Sequence, residues 1–242
     1  MKKLYGKNEL GFALLWIGVY CAAGVPLRGA FGDESPVMLL GLAVIAGGIL
    51  AFVKACRLEK KYGLVKWRGK AAEYLFFLPL LVLTTGNLWG GVRMAYGGAA
   101  QVYAVLSMLL VGFIEELIFR GFLFRALLEQ EAPPVAVTIS AVTFGVGHIV
   151  NLLTGRGGLE TLVQVVFAAA WGFLFTFVFY KSGSLLVCIA AHGLVDVFAK
   201  FAAADGGSGY GYITATVLTA VLYCAYLSRK PAALQPEAGK QA

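Results

Sequence analysis

Charge is what this 242-residue chain has least of: Asp, Glu, Lys and Arg make up 14% of it and hydrophobic residues 60%. A soluble protein carries ~25% charged and ~45–50% apolar residues, so an ordinary soluble domain is excluded. So are a disordered chain and a coiled coil, both of which need far more charge. No stretch is polar enough to form a second, soluble domain. Cysteine is also sparse. Cys21, Cys56, Cys188 and Cys224 are scattered without a CxxC pair, which rules out a disulfide framework and a cysteine-based zinc site and leaves core or lipid-facing thiols. HExxH and GxSxG are both missing, so neither a helix-borne zinc motif of that type nor a serine elbow is present. Strand-like alternation is absent as well, and nothing suggests a barrel.

Eight apolar runs remain, at 10–27, 36–55, 74–92, 100–128, 133–153, 159–180, 184–201 and 212–228. Each approaches the ~20 apolar residues that a membrane helix requires. Backbone groups in lipid must be paired within the span, so helices are the solution left open. The expectation is an all-α, polytopic membrane helical bundle of about eight transmembrane helices. It forms a single integral membrane domain over 1–242, with a motif-bearing core at about 100–203 and a short cytosolic tail at 229–242. The first run follows basic residues as a signal peptide would, yet it has no small-x-small cleavage site and reads as a retained span.

Lys and Arg set the orientation. With the N-terminus inside, fifteen of them fall on the inner side, seven in the stretch 54–70, and four on the outer side: Arg28, Arg93, Arg156 and Lys200. Both termini are then cytosolic, and a bacterial inner (plasma) membrane suits the bias. The net charge of +7 therefore serves orientation, with the lipid bilayer as partner and no nucleic acid.

Ionisable side chains at bilayer depth cost at least ~2.5–3.5 kcal/mol on insertion scales and mark function by default. The fourth run holds Glu115, Glu116 and Arg120. Glu116 and Arg120 are neighbours at i, i+4 and can pair, while Glu115 points elsewhere. The plainer reading is a buried ion-pair cluster that locks two helices. The fifth run carries Phe144, His148 and Asn151, and the seventh His192 and Asp196. These are the only two histidines in the chain. Asp196, one helical turn from His192, can hold a ring nitrogen and set the tautomer. At ~1.5 Å rise per residue, Glu115, His148 and Asp196 lie at similar levels, about 18–22 Å from the cytosolic ends of their spans. A common cavity is the simplest account.

Two routes to an activated water fit this set. In one, Glu115 works with His148 to take a proton from water. In the other, His148, His192 and Glu115 bind Zn²⁺, which acidifies the bound water. Ser140 and Thr143 are near His148 in sequence, but a serine mechanism would leave the carboxylate pair idle.

EE-x3-R at Glu115, Glu116 and Arg120, with FRG at 119–121, is followed by F-x3-H at Phe144 and His148 and by H-x3-D at His192 and Asp196. In this order the motifs resemble the CAAX-protease and bacteriocin-processing family of intramembrane endopeptidases, also called Abi or type II CAAX prenyl endopeptidase-like. The resemblance covers about 111–198. It implies an eight-span fold with a cavity in the membrane, and hydrolysis of a peptide bond near the C-terminus of a membrane-embedded or lipidated substrate. Glu115 and His148 would position water, and His192 and Asp196 would assist at the oxyanion. Glu116 and Arg120, with Phe144 and Asn151, would organise the site or meet substrate. An ionised Asp196 would repel an oxyanion, so this residue is protonated, orients His192 or binds metal. A transporter or proton relay, and a non-catalytic immunity or scaffold protein, are the alternatives from other classes.

Overall fold

The computed structural model describes residues 1–65, 77–154, 157–203 and 208–236. Lys66, Arg68 and Lys70 of the basic stretch, Arg156, Lys240 and the first three positions of the expected third span lie outside the described residues.

The described chain is helical, apart from one antiparallel backbone pairing between Val92 and Ala202. A short α1 (Lys2–Lys7) leads into α2 (Glu9–Phe31), which starts where the Asn8 side chain accepts from Gly11 N at 2.7 Å. Ser35 caps α3 (Pro36–Ala55), with Pro36 in the first turn, where a missing N–H costs nothing. The helix α5 (Gly98–Glu116) runs without a break through a π-helical stretch, Leu117–Phe124, into α6 (Arg125–Leu128). Pro133 and Pro134 open α7 (Pro133–Gly147), which tightens into a 3-10 stretch at His148–Thr154. The long α8 (Gly158–Ser182) stops at Gly183, whose φ of +70° suits a left-handed helix end. Last come α9 (Leu186–Ala199) and α10 (Ser208–Ser228).

Among the described residues six helices are long and apolar enough to cross a membrane, and two apolar helices are shorter. This is the expected helical membrane bundle of about eight helices; the described parts of two runs are shorter than a full span. The third run yields α4 (Leu78–Thr84) and a 3-10 turn at Gly86–Leu88. The described helical part, Leu78–Leu88, has 11 residues and reaches roughly 17 Å, short of a ~30 Å hydrocarbon core. The helix ends where Gly86 presses against the Tyr212 ring; a Cβ on Gly86 would lie 2.0 Å from it. α9, with 14 residues, is likewise short of a full crossing.

Close backbone approaches bring the motif helices together. A Cβ on Gly112 of α5 would lie 2.6 Å from Gly193 N of α9, and one on Gly172 of α8 would lie 2.8 Å from Ala141 O of α7. Small residues at such crossings let membrane helices touch without a driving force from water. Gly112 sits one helical turn before Glu116, and Gly193 directly follows His192. The α5–α9 contact therefore places the glutamate pair against a histidine.

Candidate active site

Glu116 is the hub. Its Oε1 accepts from Arg120 Nη1 at 2.7 Å and from His192 Nδ1 at 2.8 Å. Both Glu116 and Arg120 side chains are 0% exposed. A carboxylate only accepts, so His192 Nδ1 carries a hydrogen here. The Arg120 guanidinium rests on the Phe144 ring, 4.2 Å from its centroid, and 5.4 Å from that of Phe175. Phe175 also stacks on His192, and Phe144 meets that ring edge-on. Glu116 Oε2, Arg120 Nε and Arg120 Nη2 are buried without a hydrogen-bond partner. The cluster fastens α5 to α9, as the ion-pair reading of the sequence expected.

Glu115 takes the other side of the same imidazole. Its Oε2 lies 3.7 Å from His192 Nε2, and its Oε1 accepts from Tyr20 OH at 2.8 Å. Two adjacent carboxylates on a helix point ~100° apart; here that rotation puts one at each ring nitrogen of His192. Asp196 Oδ2 lies 3.5 Å from Nε2. Asp196 thus faces one ring nitrogen, while the shorter contact, at Nδ1, comes from Glu116. The reason is the α5–α9 crossing, which brings in a carboxylate from another helix.

His148 ends α7, and its Nδ1 lies 3.1 Å from Phe144 O. Since a carbonyl has no proton to give, Nδ1–H donates and the neutral ring keeps Nε2 as an acceptor. Asn151 Nδ2 donates to Gln164 Oε1 at 2.8 Å, tying the 3-10 stretch to α8. Ser140 Oγ donates to Phe119 O at 3.1 Å and is fully buried, which is a structural role.

One cavity of about 290 Å³ unites the predicted residues. Glu115, Phe144, His148, Asn151, His192 and Asp196 all line it; Glu116 and Arg120 stand behind His192. Tyr20, Gln164, Arg28, Asp33 and Lys200 also line it, and the sequence reading had not placed any of them there. At the rim, Asp33 receives Arg28 Nε and Lys200 Nζ, each at 2.7 Å. Burial pushes the Asp33 carboxyl up, but the charges of Arg28 and Lys200 and their hydrogen bonds overcome this and hold it below its ordinary value.

Glu115, His148 and His192 share the cavity but are not gathered as a ligand set. Among the described residues no group of three or more His, Cys, Asp or Glu is arranged to hold a metal ion, and His192 Nδ1 is already engaged by Glu116.

With this geometry in hand, comparison with known proteins is informative. Residues 98–198 match a family described as type II CAAX prenyl endopeptidase Rce1-like. The match takes in the motif-bearing core and under half of the chain. The chain is also similar to the uncharacterized protein YyaK of Bacillus subtilis (strain 168), 31% identical over 100 residues. That similarity covers 41% of this chain and 32% of the length of YyaK. The Rce1-like stretch contains every motif residue from Glu115 to Asp196. Tyr20, Arg28, Asp33 and Lys200 lie outside it, so parts of the cavity wall are supplied by helices beyond the matched region.

Proposed function

We propose that this integral membrane protein is an endopeptidase that cuts a peptide bond of a membrane-associated or lipidated substrate, with Glu115 as the general base. The observation that carries the reading is the sharing of one cavity by Glu115, His148, His192 and Asp196 within an Rce1-like stretch.

In this scheme a water is held between Glu115 and the Nε2 acceptor of His148. Glu115 takes a proton from it as the oxygen attacks the carbonyl carbon, and returns that proton to the leaving amine as the C–N bond breaks. A proton on His192 Nε2 sits between the carboxylates of Glu115 and Asp196 and is the donor available to the oxyanion. Asp196 then serves to orient and balance that ring. Glu116 and Arg120 hold it from behind, and Tyr20 fixes one oxygen of Glu115 so that the other is free to act.

The scheme draws on these side chains alone. Cleavage of a membrane-anchored peptide by the purified protein is expected to survive exhaustive chelation and to be lost in His148→Gln. Loss on chelation with recovery on adding Zn²⁺ would establish the zinc route instead. A wild-type rate in His148→Gln would overturn the role given to that histidine.

A further inference from the structure

Tertiary contacts sort the helix ends into two faces. On one, Lys2 Nζ reaches Ala55 O at 3.4 Å, Lys61 pairs with Glu9 at 2.8 Å, and Leu185 N bonds Gly63 O at 2.9 Å. Arg125 joins them through Gln235 O at 3.2 Å, and Lys181 through Lys230 O. On the other, Arg93 N bonds Phe201 O at 2.8 Å, Gln101 Nε2 bonds Lys200 O at 3.1 Å, and the Arg28–Asp33–Lys200 cluster closes the edge. Eleven described Lys and Arg residues belong to the first face, against Arg28, Arg93 and Lys200 on the second. Such a bias places the first face in the cytosol.

The cavity is built from the second face. The C-terminal half of α2 contributes Tyr20 and Arg28, α3 contributes Met38 of its first turn, and the end of α7 contributes His148. Gln164 comes from the early part of α8, and Asp196 and Ala199 from the end of α9. Side-chain exposure is 16–38% at Arg28, Asp33, Lys200 and Asp196, against 13% at Glu115 and 0% at Glu116. Eight residues of helix separate His192 from Lys200, so the reacting groups lie about 12 Å below that rim.

We infer that the cavity opens on the non-cytoplasmic side of the membrane, and that its substrate is a membrane-anchored polypeptide whose scissile segment lies at that surface. A cytosolic lipidated tail would have to cross the bilayer to reach Glu115. The substrate assignment rests on the endopeptidase reading above; the direction of opening does not.

The two are tested separately in the full-length protein, in spheroplasts, with all native cysteines replaced by Ser. One variant carries Ala199→Cys, exposed at the cavity rim, and another Ala55→Cys, exposed at the end of α3 on the basic face. A membrane-impermeant maleimide is expected to label Ala199→Cys in intact spheroplasts and Ala55→Cys only after permeabilisation. The reverse pattern would overturn the inference. In parallel, a membrane-anchored reporter is supplied with its cleavable segment either exported or cytosolic. Glu115-dependent loss of the exported segment alone is expected, and loss of the cytosolic segment alone would overturn the substrate assignment. If neither is cut while the labelling is as expected, the endopeptidase reading fails and the direction of opening stands.

Discussion

Two ion clusters bracket the cavity, each joining three residues. At the inner end Glu116 and Arg120 are sealed from solvent, with three of their polar atoms left unpartnered, and His192 joins them from the cavity wall. At the rim Arg28, Asp33 and Lys200 make equally short contacts but remain partly open, with side-chain exposures of 38%, 16% and 18%. Distance alone would rate them equal; the surroundings separate them. Removing one partner of a buried pair strands a charge, which costs about 3–5 kcal/mol, whereas an exposed pair contributes about 0–1 kcal/mol. The inner cluster is therefore a frame for the imidazole, and the rim cluster a light fastening between the α2–α3 turn and the end of α9.

The sharpest way to break this contrast is Arg120→Met. It removes the guanidinium from the buried Glu116 carboxylate and is expected to destabilise by about 3–5 kcal/mol, read from thermal unfolding in detergent. An unchanged midpoint would mean that the frame does not bear on stability. Tyr20→Phe acts between the two clusters, deleting the hydrogen bond to Glu115 Oε1. Loss of a hydrogen bond to a charged group, about 1.5–3 kcal/mol, is expected to appear as a fall in kcat of at least ~10-fold, with KM little altered. An effect on KM alone would make Tyr20 a substrate contact.

Lys200→Ala, at the rim, is expected to change stability by less than ~1 kcal/mol, and the difference should shrink in high salt. The pH dependence follows from the Asp33 carboxyl, held below its ordinary value. A lowered folded-state pKa makes the rim contribution complete above the unfolded value of ~3.9 and removes it only as pH falls through the lowered value. Asp33→Asn should therefore lose the rim contribution at neutral pH, by less than ~1 kcal/mol, and flatten the acid limb of the stability profile. A rim contribution that changes between pH 6 and 8 would contradict the assignment.

What could be read from the sequence was the chemistry that membranes make expensive. Glu115, Glu116, Arg120 and the two histidines stood out because apolar spans rarely tolerate them, and helix rise put them at one level. Which carboxylate meets which ring nitrogen was not legible, because Gly112 and Gly193 decide it by letting α5 and α9 touch. Tyr20 gave no signal: a tyrosine in an apolar run is unremarkable until the helix that faces it is known. Arg28 and Lys200 registered only as charges on the outer side. The end of α4 was not legible either, since hydropathy could not reveal that Gly86 meets Tyr212.

The most direct test of the account is the cleavage rate of Glu115→Gln beside wild type, with both reconstituted in liposomes and given the same membrane-anchored peptide. The amide keeps an oxygen for Tyr20 but cannot take a proton from water. The predicted result is a fall of about 10²–10⁴-fold with an unchanged unfolding midpoint. Cleavage at the wild-type rate would contradict it.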